Sequence, residues 1–258
     1  ACSGDGCSRD TGSTGPSSAG ARATAAPSAE SGAPSTDAPS TPLPALVREG
    51  GALALGVGES ALYVADEDHR TLRRVPLPLQ ADAPGNALEL PGAPAQVLPL
   101  HGRVLVTVRD PSLLVVVEPD GGGGLREAAR VALPDDAWGL AVSPDETLAL
   151  VSSAWSHQVS AVELASRTVL WSLDVAREPR GVVIAKGGDT AYVTHLVGGA
   201  LSRIDGLRAA PRLSQVALPP SPLRSPSGVT LSGALGYAAL LSPSGDRLYV
   251  ARHALGAL

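Results

Sequence analysis

The chain has 258 residues, 44% of them hydrophobic and 17% charged, with a formal net charge of −5. That length carries one large all-β domain or two smaller ones. The mild acidity excludes a nucleic-acid platform, which needs clustered Lys and Arg to displace counterions from phosphates, and the longest apolar runs, such as Leu113 to Val117, fall short of the roughly 20 residues of a membrane-spanning helix.

Cys2 and Cys7, the only cysteines, lie at the start of the chain. Ala1-Cys2 fits the end of a bacterial lipobox, with Cys2 acylated after signal-peptide cleavage. A local Cys2–Cys7 disulfide is the competing reading. Two thiols with no neighbouring His cannot complete a tetrahedral metal shell. The chain lacks Met, as expected of a processed product or a piece of a longer polypeptide. From Ser3 to Thr41 it is nearly all Ser, Gly, Ala, Thr, Pro and Asp, without Leu, Ile, Val or an aromatic residue. Such a segment buries nothing against the entropy of ordering, so residues 1–41 read as a disordered linker, a stalk for a tethered domain.

The pattern changes at Pro42. Over 42–258, short apolar stretches alternate with turn signals and no 3.6-residue period persists, as in an all-β domain. Leu43 to Val47 reads as a lone outer strand able to complete a last blade. Five segments then align without gaps: Tyr63-Val64-Ala65 leading to Leu72, Leu105-Val106-Thr107 to Leu114, Leu150-Val151-Ser152 to Val159, Tyr192-Val193-Thr194 to Leu201, and Tyr249-Val250-Ala251 to Leu258. Their first residues are 42, 45, 42 and 57 apart, one four-stranded propeller blade per repeat with an insertion near Pro219 to Leu235.

In the third repeat Gly139 to Val142 is the innermost strand, Ser143-Pro144-Asp145-Glu146 its turn, Leu148 to Ser152 the second strand, Gln158 to Leu164 the third and Val169 to Val175 the fourth. Gly181 to Ala185 and Thr190 to Thr194 begin the fourth repeat, Tyr237 to Leu241 and Arg247 to Ala251 the fifth. The fifth stops before or within its third strand.

The runs Gly139-Leu140-Ala141-Val142-Ser143-Pro144-Asp145, Ala191-Tyr192-Val193-Thr194 and Leu241-Ser242-Pro243-Ser244-Gly245-Asp246-Arg247-Leu248-Tyr249-Val250 resemble the YVTN family of bacterial surface β-propellers. Gly58-Glu59-Ser60 and His101-Gly102 depart from its longer turn. The resemblance implies a ring with more blades than the five visible here, hence an incomplete ring whose remaining blades follow Leu258. It also implies a cell-envelope location, in the periplasm or on the outer surface. Such propellers can be joined to cytochrome c or peroxidase-like domains, so any haem would belong to a C-terminal region beyond this chain.

In a propeller the loops between second and third strands share a face with the inter-blade connections. Those loops carry Asp66, His69, Asp110, Trp155, His157, His195, Arg252 and His253, and the connections carry Trp138 and Arg180. One face is therefore the expected binding face for a protein or small ligand. A metal there would draw on neutral imidazoles, with His157 and His195 the candidates. Against it, loops spread around a ring do not bring ligands within about 2 Å of one ion. Asp66-Glu67-Asp68 and Asp135-Asp136 lack the spacing of a calcium loop and read as solvated turn acids, and Gly121 to Gly124 as a hairpin turn. No catalytic or haem-attachment motif occurs within the chain. The expectation is a non-catalytic binding or scaffold module without a cofactor of its own, meeting a membrane only through a lipid on Cys2. The alternative is the front part of a redox protein.

Overall fold

The computed structural model describes residues 48–79, 85–218, 227–228 and 236–252. The linker with Cys2, the strand expected at Leu43 to Val47, most of the insertion and His253 lie outside them. Apart from one 3-10 turn at Val57–Glu59, the described elements are strands, and four of the sheets are four-stranded and antiparallel. Blade 1 holds β1 (Leu53–Leu55), β2 (Ala61–Asp66), β3 (Thr71–Pro76) and β4 (Asn86–Glu89). Blade 2 holds β5 (Pro94–Leu100), β6 (Arg103–Val108), β7 (Leu113–Pro119) and β8 (Leu125–Ala132). Blade 3 holds β9 (Ala137–Val142), β10 (Leu148–Ser153), β11 (Gln158–Glu163) and β12 (Thr168–Asp174). Blade 4 holds β13 (Pro179–Ile184), β14 (Thr190–His195), β15 (Ala200–Asp205) and β16 (Arg212–Ala217), and blade 5 shows β17 (Gly236–Leu241) and β18 (Leu248–Arg252). This is the propeller architecture that the repeat predicts, with strand ends displaced by one or two residues.

Side chains alternate along each strand, so every blade has one face toward its predecessor and one toward its successor. Leu98, Leu105 and Leu114 of blade 2 pack against Leu140, Val142 and Val151 of blade 3. Ala141, Leu150 and Val159 of blade 3 pack against Val182, Val193 and Ile204 of blade 4, and Tyr63 and Ala65 of blade 1 against Val97, Val106 and Val115 of blade 2. In the Tyr-Val-Thr-type motif the first residue therefore faces forward and the second backward.

The third residue of that motif joins blades by hydrogen bonds. Each innermost strand from β5 onward has a register irregularity near its start, and in blades 2, 3 and 4 a hydroxyl of the second strand takes up a backbone N–H there. Thr107 Oγ1 accepts from Gln96 N (3.0 Å) and donates to Trp138 O in blade 3 (2.8 Å). Ser152 Oγ accepts from Gly139 N (2.9 Å) and donates to Arg180 O in blade 4 (2.7 Å). Thr194 Oγ1 does the same between Gly181 N (2.9 Å) and Tyr237 O in blade 5 (3.2 Å). Removing such a hydroxyl orphans buried backbone groups, so Thr107→Ala should cost about 1–3 kcal/mol and Thr107→Ser much less. Urea denaturation of the two variants measures this; equal losses would show that the methyl group, not the bond, matters.

Ahead of β1, residues 48–51 run along the inner edges of two blades. Arg48 O accepts from Val142 N (2.9 Å) and Gly50 N donates to Leu140 O (2.7 Å), while Gly51 and Val97 exchange both bonds at 2.8 and 3.2 Å. A Cβ on Gly50 would lie 2.8 Å from Gln96 Oε1 and 3.0 Å from Leu140 Cβ, so a larger residue there would require the Gln96 and Leu140 side chains to give way. Arg48 sits at the β9–β10 turn, its Nη1 3.4 Å from Ser143 O and 3.7 Å from Glu146 Oε1. The sequence does not signal this strap, because its backbone bonds are to Leu140 and Val142, about 90 positions away, and to Val97, in the next blade.

Candidate functional site

The hydroxyl bridges place Trp138 and Arg180 in the same column of adjacent blades, at the end of the ring that carries the β2–β3, β6–β7 and β10–β11 loops. There the Trp138 ring lies between two guanidiniums, with Arg109 Cζ 4.6 Å and Arg180 Cζ 4.3 Å from its centroid. A ring face attracts such cations through its quadrupole. Asp136, just ahead of β9, is almost completely buried and holds the left-handed conformation at φ +63. Its Oδ1 accepts from Arg109 Nε at 2.6 Å, and its Oδ2 lies 4.0 Å from Arg180 Nη1. Arg109 also donates to Glu67 Oε1 (3.0 Å) and Arg180 to Glu178 Oε2 (2.9 Å). Burial disfavours the Arg109 cation, but Asp136 and Glu67 more than offset this and hold it firmly charged. Asp136 Oδ2 and Arg180 Nε and Nη1 are buried without a hydrogen-bond partner. Four blades thus contribute to one network of charges and an indole ring.

The loop between β10 and β11 is pinned to this network. Ala154 N donates to Asp136 O (2.9 Å) and Ser156 N to Asp135 O (3.4 Å). Between them Trp155 stands 68% exposed. Trp155 is thus a large apolar ring held in water on a fixed backbone. Val197, in the corresponding loop of blade 4, is exposed as well.

The other residues singled out from sequence divide. Asp66 closes β2 and accepts from Arg73 Nε (2.7 Å), while its Oδ1 lies 2.9 Å from His69 Nδ1. The Arg73 hydrogen bond, then that of His69, lowers its pKa to about 2. His69 and Asp110 are exposed, and Arg252 ends β18. His157 is half-buried at φ +55, with its carbonyl accepting from Val175 N.

His195 corrects the sequence reading. It is the last residue of β14 and is buried, not displayed on a loop. Its Nδ1 is 3.1 Å from Arg177 O, which can only accept, so Nδ1 carries the proton and Nε2 accepts from Ser202 Oγ at 2.8 Å. Both nitrogens are committed inside the blade. Among the described residues no three His, Cys, Asp or Glu side chains gather closely enough to hold an ion. Polar β-strand ends and loop starts look alike in sequence; burial separates them.

Desolvation lowers the His195 pKa. An unfolded chain takes up this proton near pH 6.5 while the folded imidazole resists it. Stability should therefore fall as pH drops below about 6.5, and fall less steeply in His195→Gln. Thermal denaturation between pH 7.5 and 5 checks this; parallel profiles would refute it.

Arg109, Glu67 and Glu178 complete the network although sequence reasoning gave them no binding role. The only local signal is an Asp-Asp-Ala-Trp run ahead of an apolar strand; nothing along the chain links it to Arg109 or Arg180.

No family model and no curated protein matches this sequence. Among solved structures, the chain is similar to a streptogramin B lyase (12% identity, 79% of this chain and 62% of that one, TM-score 0.60). It is similar to virginiamycin B lyase from Staphylococcus aureus (11%, 79% and 62%, 0.57), and to hydrazine synthase of Kuenenia stuttgartiensis (13%, 83% and 76%, 0.54). The chain spans 62% of the length of each lyase. At these identities the likeness is one of fold, a propeller, shared by proteins with different names and chemistries.

Proposed function

We propose that this propeller is a non-catalytic binding module of a bacterial cell-envelope protein of the YVTN type, engaging a protein partner through the face that carries Trp155. The observation behind this reading is a tryptophan 68% exposed on a loop pinned by Asp135 and Asp136. Trp and Arg dominate protein interfaces because they bury much area at little entropic cost, and a rigid loop lowers that cost further. The Arg109–Trp138–Arg180 network serves as the platform beneath it. Lipid attachment at Cys2, with the Ser/Gly/Pro-rich segment as stalk, belongs to the same proposal.

A photo-crosslinking residue at position 155, in cells that make the protein, tests it. A discrete crosslinked protein at 155 and none at Leu170, on an outer strand, is the expected result. No adduct at 155, or the same adducts at both positions, would overturn it. Fatty-acid labelling that survives in the wild type and vanishes in Cys2→Ser decides the anchor.

The second reading is the propeller portion of a redox protein with a cytochrome c or peroxidase-like haem domain after Leu258. The fold likeness to an enzyme, hydrazine synthase, favours it over 83% of this chain. A C-x-x-C-H motif in the following reading frame would promote it.

A further inference from the structure

A strand at the rim of a sheet offers unpaired N–H and C=O groups to any extended chain, and proteins guard such edges with charge, bulges or brevity. Among the described residues β4, β8, β12 and β16 are the outermost strands of blades 1 to 4. Three of them are guarded. β4 is 4 residues long and ends in Glu89. β8 bulges at Ala128, between the partners of Val116 and Val117, and carries Arg126, Glu127 and Arg130. Arg167 Nη1 of blade 3 also donates to the Ala128 carbonyl at 3.2 Å. β12 bulges at Leu170, between the partners of Ala161 and Val162. β16 has none of these devices. Its register with β15 runs unbroken from Arg212 to Ala217, all its residues are exposed, and neither charge nor proline lies between Leu213 and Ala217.

The ladder fixes which groups of β16 are open. Leu218 N donates to Gly199 O at 3.0 Å, and in an antiparallel pair bonded residues recur at every second position. Arg212, Ser214 and Val216 therefore bond to β15, while Leu213, Gln215 and Ala217 turn their N–H and C=O outward. We propose that β16 is a self-association edge, pairing antiparallel with β16 of a second copy about a twofold axis at Gln215. That register uses every outward residue: Leu213 exchanges bonds with Ala217 of the other copy, and Gln215 with its own counterpart. On this face two Leu–Ala pairs flank two side-chain amides, each able to donate and accept. On the opposite face Ser214 meets Val216 and Arg212 meets Leu218, so no like charges are opposed. Pairing also covers part of Leu213 and Val216, which are 42% and 39% exposed. An axis at Ser214 would instead set Ala217 against Pro211, which has no N–H to give. One strand pair buries less surface than a permanent interface, so the dimer is weak and reversible.

Sedimentation velocity from micromolar to millimolar concentration tests this, on the 258-residue chain with Cys2 and Cys7 changed to Ser to prevent disulfide dimers. The chain should shift from monomer toward dimer. Gln215→Lys sets two cations face to face at the axis and should weaken association about tenfold or more. Gln215→Glu should do the same, and an equimolar mixture of the two variants should recover association, because only at the axis does position 215 meet itself. Gln215→Pro removes an outward N–H that β15 does not use, so it should abolish the dimer with an unchanged circular dichroism spectrum. Leu170→Lys, which adds the same charge to β12, should change nothing. A chain that stays monomeric throughout overturns the proposal, whether residues 219–235 of the same chain or another protein covers the edge. So does a dimer that Gln215→Lys leaves intact, or a Lys–Glu mixture that fails to associate.

Discussion

Gly139→Ala should prevent stable folding or remove roughly 3 kcal/mol or more of stability, the range of severe overpacking. A Cβ at this position would stand 1.9 Å from Arg180 O and 2.6 Å from Ser152 Oγ. Neither neighbour can retreat. The carbonyl belongs to the innermost strand of blade 4, and the hydroxyl is the bridge that accepts from Gly139 N and donates to that carbonyl. The extra methyl therefore drives apart the two groups that join the blades, and orphans buried polar atoms as it does so. Gly187→Ala is the control. It lies in the β13–β14 turn with nothing within 4 Å of its Cβ, and should stay within about 0.5 kcal/mol of wild type. Urea denaturation of both variants provides the comparison, and a folded Gly139→Ala of near-normal midpoint would mean that blades 3 and 4 slide more freely than their bonding implies.

Asp136→Asn is expected to cost about 2–4 kcal/mol, within or just below the range for breaking a buried ion pair from one side. The substitution keeps the shape and tolerates φ +63, since Asn is among the residues that adopt this conformation most readily. What it removes is the charge between Arg109 and Arg180. Arg180 is nearly buried and keeps only Glu178, while Arg109 keeps Glu67, which is half exposed and pairs weakly. Glu67→Gln should accordingly change stability by less than about 0.5 kcal/mol. The Trp138 ring reports the event independently, because its fluorescence senses the two guanidiniums stacked on it. Denaturation of Asp136→Asn, Glu67→Gln and the double variant separates the contributions. A neutral Asp136→Asn would mean that the cation–π stacking, not the carboxylate, holds the arginines in place.

Much of the blade architecture is legible in the sequence because it is written in local terms. Strands β9 to β12 follow from apolar runs punctuated by Ser143-Pro144-Asp145-Glu146 and Ala165-Ser166-Arg167, and the 42- to 45-residue spacing repeats that plan. Turn chemistry behaves as its residues suggest: the Asp120 carboxylate caps Gly122 N and Gly124 N at 2.8 Å each, making a hairpin of the glycine run. The candidate site is less legible. Trp138, Trp155 and Arg180 can be picked out because bulky or charged residues beside connections are conspicuous. His195 misleads, since a histidine closing a strand reads like one opening a loop, and Ser202, its hydrogen-bond partner, lies on the adjacent strand.

What the chain by itself determined is the repeat unit and its alternation, for these depend on side chains two residues apart and on turns of about four residues. It even displayed the hydroxyl of Thr107, Ser152 and Thr194 as a column. Only the tertiary structure decided what that hydroxyl does, why Gly139 admits no Cβ, and which charges surround Trp138. Each of those depends on atoms brought together from different blades or from far along the chain, and a pattern that recurs from blade to blade does not encode where one blade meets the next.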